Sequence, residues 1–127
     1  MRTFGLSEFL FIVQAAQWTL ALSAIAFVGG ALLGLVVALS RTSENAVARN
    51  AARVFIQVFQ GTPLLLQLFL IFFGAPVLGF DINPWVAAGV ALVLNSAAFL
   101  AEIWRGCIEA VPRGQWEAAQ ALHLKYV

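Results

Sequence analysis

Charged residues are scarce in this sequence. Lys, Arg, Asp and Glu together make up 10% of its 127 residues, whereas hydrophobic residues make up 62%. This balance lies outside the composition of ordinary soluble domains, so we interpret the chain as an integral membrane protein. The basic residues stand singly and the formal net charge is only +1. The sequence has no basic patch with interleaved aromatic residues, which argues against a nucleic-acid partner.

Cysteine and histidine are nearly absent as well. Cys107 is the single cysteine, so the chain cannot form an internal disulfide, and we expect the thiol to act as a small apolar side chain. His123 is the single histidine and has no second ligand at metal-binding spacing, so we predict no metal site. The apolar runs hold no cluster of His, Cys or carboxylates, which argues against a membrane enzyme.

Long uncharged runs are abundant. Three of them reach the roughly 20 residues that a helix needs to cross the hydrocarbon core of a bilayer. The predicted spans cover about residues 14–39, 62–80 and 84–103. The sequence therefore predicts an all-α integral membrane fold in a single domain over residues 1–127, followed after the third span by a cytoplasmic segment over residues 104–127.

The loops between these spans differ in charge. Between residues 40 and 54 the sequence has three arginines and one glutamate, whereas the next loop carries only Asp81. By the positive-inside rule the first loop is cytoplasmic. The N-terminus and the second loop are then periplasmic, and the C-terminus is cytoplasmic. Residues 49–59 have a basic face and an apolar face, which predicts an amphipathic helix that lies along the membrane or leads into the second span.

Two helix starts are marked by the residues that precede them. After Gly61, Thr62 can cap a helix that begins at Pro63, where the missing N–H costs nothing. Asn83 and Pro84 form the same combination of cap and first residue. The sequence therefore predicts that the second span begins at residues 62–63 and the third at residue 84, with the third helix continuing to about residue 111.

Small and polar residues within the spans indicate contacts between helices. Small residues recur every four positions in the first span, at Ala26, Gly30, Gly34 and Ala38. Such a face predicts close packing with another helix, and we favour packing within the chain over a seam between two subunits. The polar residues of the later spans are Gln67, Asn95 and Ser96. They line a translocation path or form hydrogen bonds between helices, and both interpretations remain open.

Charged residues return after residue 101. Glu102, Arg105 and Glu109 are spaced so that opposite charges pair along one helix face. Pro112 then ends the third helix, and residues 115–125 favour a short helix rich in alanine. A short helix with one bulky side chain suits docking in a groove of a partner protein. The alternative interpretation is an ordinary cytoplasmic connector.

Three stretches resemble a known family. Residues 112–119, Pro-Arg-Gly-Gln-Trp-Glu-Ala-Ala, resemble the coupling loop of bacterial ABC importer permeases. Residues 61–74, Gly-Thr-Pro-Leu-Leu-Leu-Gln-Leu-Phe-Leu-Ile-Phe-Phe-Gly, and residues 101–108, Ala-Glu-Ile-Trp-Arg-Gly-Cys-Ile, narrow the resemblance to permeases of the polar amino acid family, which takes up histidine, glutamine, arginine and opines. The resemblance covers about residues 14–122.

The sequence departs from that family at three points. Gln60 stands where the family usually has a basic residue, and His123 stands where the family has glycine. Family members also continue through further membrane spans. We therefore expect this chain to be a permease truncated within the coupling loop.

The resemblance implies a permease subunit that moves polar amino acids across the bacterial cytoplasmic membrane. A separate cytoplasmic ATPase would hydrolyse ATP and contact this chain through its coupling residues Gly114, Trp116, Glu117, Ala118, Ala119 and His123. The other expected partners are a second permease subunit, identical or different, a periplasmic amino acid-binding protein and membrane lipid, with no cofactor bound directly. The alternatives are a small three-helix interaction or assembly protein without transport activity, or an inactive truncated permease.

Overall fold

The computed structural model describes residues 5–122, and it describes residues 113, 116 and 120 by their backbone alone. His123 and the side chain of Trp116 lie outside what is described. The described part of the chain forms five helices: α1 Leu6–Thr42, α2 Ala46–Gly61, α3 Leu64–Val77, α4 Pro84–Glu109 and α5 Arg113–Ala121.

α1 is longer than the predicted span over residues 14–39. Its 37 residues extend over about 55 Å at 1.5 Å per residue, against a hydrocarbon core of about 30 Å. The helix begins at Leu6 because Glu8 accepts a hydrogen bond from the Gly5 amide at 3.0 Å and closes the first turn. The predicted span is therefore the apolar middle of a helix that extends further in both directions.

α1 packs along α4 through small residues of both helices. The predicted face of Ala26, Gly30, Gly34 and Ala38 is buried, and the buried residues of α4 are all alanine or glycine. A Cβ atom added at Gly30 would lie 2.6 Å from the Cβ atom of Ser96, which is closer than two carbon atoms can approach. The prediction that this face packs within the chain is confirmed.

α1 and α4 run in the same direction. The rings of Trp18 and Trp85 lie 4.9 Å apart near one end of the pair, and Gly34 lies against Ala97 further along both helices. Each of the two helices is long and apolar enough to cross a membrane. Since their C-terminal ends lie on the same side, the chain between them must return across the bilayer before α4 begins.

That return is made by α2 and α3, which do not form one straight span. Together they are long and apolar enough to cross a membrane, but they are bent by 104° at the break between them. α3 has 14 residues and extends over only about 21 Å, less than the hydrocarbon thickness of about 30 Å. The helix within the predicted span over residues 62–80 is α3, which is shorter than that range and is preceded by a sharp corner.

Thr62 belongs to the end of α2 and not to the start of α3. α2 extends through Gly61, the Thr62 hydroxyl donates to the Val58 carbonyl at 2.8 Å, and Pro63 occupies the position before the first residue of α3. The prediction that Thr62 caps a helix beginning at Pro63 is wrong. A threonine hydroxyl can bond backward to the fourth preceding carbonyl as well as forward to an amide, and the sequence does not distinguish the two.

The start of α4 agrees with its prediction. The side chain of Asn83 accepts a hydrogen bond from the Trp85 amide at 2.9 Å, and Pro84 is the first helical residue. α4 continues to Glu109, beyond the predicted span over residues 84–103 and just short of residue 111.

α5 begins at Arg113, earlier than the predicted helix over residues 115–125. The last residues of that predicted helix, from 123 onward, lie outside the described residues. Pro112 separates α5 from α4, as expected of a residue that cannot continue a helix.

Three helices meet near the C-terminal ends of α1 and α4. The apolar cluster at this point consists of Val37 and Ala38 from α1, Ala52 and Ile56 from α2, and Ala101 from α4. α2 therefore lies across this end of the α1–α4 pair and holds the corner next to it.

Candidate functional site

The corner between α2 and α3 is closed by the side chain of Gln67. This residue is only 6% exposed. Its Nε2 atom donates to the Phe59 carbonyl at 2.8 Å, and to the carbonyl and the hydroxyl of Thr62 at 3.0 and 2.9 Å. In a continuous helix the Phe59 carbonyl would accept from residue 63, but Pro63 has no N–H. Gln67 therefore supplies the donor that the proline lacks.

α4 joins this corner through two more side-chain amides. Asn95 Nδ2 lies 3.4 Å from both the Phe59 carbonyl and Gln67 Oε1, and Gln60 Nε2 donates to the Ala98 carbonyl at 3.2 Å. We call Gln60, Gln67 and Asn95 the amide cluster. Within residues 5–122, every buried side-chain nitrogen or oxygen whose placement is described has a hydrogen-bond partner.

The amide cluster has a limited chemistry. Carboxamides donate and accept hydrogen bonds but do not exchange protons near neutral pH, so the cluster can hold helices together or bind a polar group. The structure brings Gln67 and Asn95 together as polar contacts between helices. Their place on a translocation path stays a prediction.

Ser96 takes no part in the described hydrogen bonds of the amide cluster. It packs against Gly30 of α1 and lines a shallow groove with Ser23, Asn95 and Phe99. The groove opens between α1 and α4, and the position of Ser96 is set by the close approach of these helices.

The last turns of α4 carry a series of ion pairs. Arg105 Nε donates to Glu102 Oε1 at 2.9 Å, and the terminal nitrogens of Arg105 contact Glu102 and Glu109. The predicted pairing at three and four residues is therefore confirmed. All three side chains are partly exposed, so water and salt weaken each pair.

α5 presents most of the predicted coupling residues to the outside of the molecule. Gly114, Glu117 and Ala118 are exposed and Ala119 is half-buried. Because Gly114, Glu117 and Ala118 are spaced at three and four residues, they share one face of the helix. Within the described part of the chain this face is exposed and therefore accessible to a partner protein.

Two contacts near this end of the molecule were missed by the sequence analysis. In the sequence, Gln60 stands out only as a departure from the family, whereas in the structure its side chain donates a hydrogen bond from α2 to α4. Arg49 Nη1 donates to the carbonyls of Ser43 and Glu44 at 3.0 and 3.3 Å and fixes the turn between α1 and α2. A signal existed for Gln60, since a polar residue beside a Gly-Thr-Pro helix break lies near open carbonyls. The sequence holds no comparable signal for Arg49.

Comparison with protein families identifies the chain. Residues 30–127 match the family described as the binding-protein-dependent transport system inner membrane component. The chain belongs to this family. Within residues 5–122, two helices are each long and apolar enough to cross a membrane, and one bent pair of helices is so when taken together. The chain is a multi-pass protein of the inner membrane.

Several curated relatives of this family member are permeases of amino acid transport systems. The probable amino-acid ABC transporter permease protein YckA of Bacillus subtilis is 37% identical over 122 residues, which cover 96% of this chain and 54% of YckA. The arginine transport system permease protein ArtQ of B. subtilis is 43% identical over 117 residues, or 91% of this chain and 53% of ArtQ. The glutamine transport system permease protein GlnP of Escherichia coli is 37% identical over 115 residues, or 89% and 52%. This family member spans about half the length of these relatives.

A solved structure has the same fold as this family member. The crystal structure of an amino acid ABC transporter with histidines matches 98% of this chain and 60% of that chain, with 37% sequence identity and a TM-score of 0.80. The predicted all-α membrane permease fold is confirmed.

Proposed function

We propose that this chain is the permease component of an ATP-driven importer of polar amino acids. The observation that carries the proposal is the exposed helix α5, which presents Gly114, Glu117 and Ala118 on one face beyond the end of α4. The names of the relatives, which include amino-acid, arginine and glutamine permeases, support the substrate class.

In this proposal a separate cytoplasmic ATPase binds α5 and hydrolyses ATP, and the permease itself is not an enzyme and binds no cofactor. A periplasmic amino acid-binding protein delivers the substrate, and a second permease subunit completes the pathway. Movement of the ATPase displaces α5 and, across Pro112, the end of α4. Because α4 is attached to α1 and to the α2–α3 corner, such a displacement moves the membrane helices together, as coupling between two distant sites requires.

The docking role of α5 is tested by reversing one charge. In Glu117→Lys we expect association with a cognate amino acid importer ATPase, measured by co-purification in mild detergent, to fall about tenfold or more, since an interface charge is replaced by its opposite. Glu44→Lys is the matched control, because it makes the same change at an exposed position outside α5 and is expected to leave association unchanged. Undiminished association of Glu117→Lys contradicts the docking role.

The proposed orientation places α5 and the α1–α2 turn in the cytoplasm. It is tested in a Cys107→Ser background, which has no other cysteine, by adding a single cysteine at exposed Glu44 or exposed Asp81. A membrane-impermeant maleimide added to spheroplasts is expected to label Asp81→Cys and to spare Glu44→Cys until the membrane is opened. The reverse pattern places α5 on the wrong side for an ATPase.

A further inference from the structure

α2 has three distinct faces. Ala52 and Ile56 form the buried face, which packs against α1 and α4. Each residue of an α-helix is rotated by about 100° around the helix axis from the residue before it. Counted in this way from Ala52, two other faces of α2 lie at about 100–160° and at about 200–240°. The first, which we call the polar stripe, consists of Asn50, Arg53 and Gln57, and the second, which we call the valine stripe, consists of Val47, Val54 and Val58.

Both stripes are exposed in the described part of the chain. Val47, Val54 and Val58 are 79%, 58% and 51% exposed, and the three residues of the polar stripe are exposed as well. A row of exposed valines is unfavourable in water, whereas a row of exposed polar groups is unfavourable in hydrocarbon. A helix that carries both rows outside its buried face is therefore most stable at the boundary between water and hydrocarbon.

The position of α2 in the fold agrees with such a boundary. α2 is bent by 104° from α3, so if α3 crosses the bilayer, the axis of α2 lies close to the membrane plane. It packs at the level of Ala38 and Ala101, within one turn of the charged residues Arg41 and Glu102. Because its buried face points sideways into the α1–α4 pair, one remaining face points towards hydrocarbon and the other towards water.

Two further observations indicate that lipid covers the valine stripe. Val58 lines an apolar groove in the angle between α2 and α3 together with Leu66, Leu70 and Leu94, and Leu70 is 70% exposed on α3. The stripe therefore continues the outer apolar surface of a membrane helix. The segment from residue 41 to residue 53 also carries three arginines and one glutamate, a charge that attracts the anionic headgroups of a bilayer surface.

We infer that α2 is an interfacial helix whose valine stripe contacts the acyl chains of phospholipids while its polar stripe faces water and headgroups. The bilayer, and not a second copy of the chain, covers the valine stripe. The position of α2 in the bilayer does not depend on the proposed transport function.

Spin-label accessibility tests the inference in the full chain. A Cys107→Ser variant receives one cysteine at Val54, is spin-labelled, and is placed in vesicles of phosphatidylethanolamine and phosphatidylglycerol. Collisions with oxygen, which concentrates in hydrocarbon, are compared with collisions with a water-soluble nickel chelate. We expect the ratio of oxygen to nickel collisions at Val54→Cys to be several-fold higher than at Gln57→Cys on the polar stripe, and to approach that at Leu70→Cys on α3.

Each other outcome overturns the inference. Nickel access at Val54→Cys equal to that at Gln57→Cys means that the stripe faces water. Low access of both reagents at Val54→Cys means that protein covers it, as in a dimer of this chain. Val47→Cys provides a second site on the same stripe should Val54→Cys not fold. The vesicles contain neither ATPase nor substrate. The spin-label result is therefore independent of whether the proposed transport function is correct.

Discussion

Two of the contacts that α4 makes in the described part of the chain differ in the side chains that form them. Along α1 the contact uses small residues that bring the backbones together, so that a Cβ atom at Gly34 would lie 2.9 Å from the Ala97 carbonyl oxygen. At the α2–α3 corner it uses the long side-chain amides of Gln60 and Gln67 and the shorter amide of Asn95. In lipid, helices associate through close packing and through hydrogen bonds. Straight helices can pack closely, whereas a broken helix leaves backbone carbonyls without their helical partners, and these carbonyls require hydrogen bonds from side chains.

The largest effect is expected from a side chain forced between α1 and α4. Gly30→Leu must displace Ser96, so we expect a loss of about 3 kcal/mol in the free energy of unfolding, as in overpacked cores. Unfolding in mixed micelles with increasing dodecyl sulfate, followed by circular dichroism, measures this loss. Gly74→Leu is the control, because a Cβ atom there meets nothing within 4 Å. Equal losses in both variants contradict the close approach of α1 and α4.

A smaller loss is expected at the corner. Gln67→Leu keeps most of the side-chain volume but removes the donor from the carbonyls of Phe59 and Thr62, at a cost of about 1–2 kcal/mol in the same assay. Gln57→Leu makes the same change on the exposed polar stripe and is expected to stay within about 0.5 kcal/mol of the parent. If the two leucine variants are equally stable, the amide of Gln67 does not support the corner.

The smallest effect is expected from the ion pairs at the end of α4. Arg105→Gln removes the contacts with Glu102 and Glu109, but these groups are partly exposed, so we expect a loss below about 0.5 kcal/mol. The loss should shrink further when the assay is repeated at high salt, because salt screens exposed charges. A salt-independent loss as large as that of Gln67→Leu would reverse the order of the polar contacts proposed here.

Features that depend on local periodicity were predictable from the sequence. The recurrence of Ala26, Gly30, Gly34 and Ala38 every four residues predicts one small face, and the structure buries that face against α4. Asn83 followed by Pro84 predicts the start of α4, because both preferences act within one turn. The spacing of Glu102, Arg105 and Glu109 likewise fixes their pairing along one helix.

Features that depend on the angle between helices were not predictable. Gln67 and Asn95 are recognisable as polar residues in apolar runs, but only the 104° bend brings them to the same carbonyl. Gln60 reaches the Ala98 carbonyl only because α2 packs against α4. The backward bond of Thr62 to the Val58 carbonyl is local, but a forward bond is equally compatible with the sequence. In the coupling segment, periodicity predicts a helix, while its proposed contact with an ATPase rests on family resemblance and on the exposure of Glu117.

The shared direction of α1 and α4 has a consequence for biosynthesis. Two neighbouring helices joined by a short turn can enter a membrane as a hairpin, but a parallel pair cannot. The residues that touch most closely, such as Gly30 and Ser96, leave the ribosome with the whole of α2 and α3 between them. The glycine face of α1 therefore gains its partner α4 only after α2 and α3 have been made, and α3 is likewise made before its principal neighbour α4.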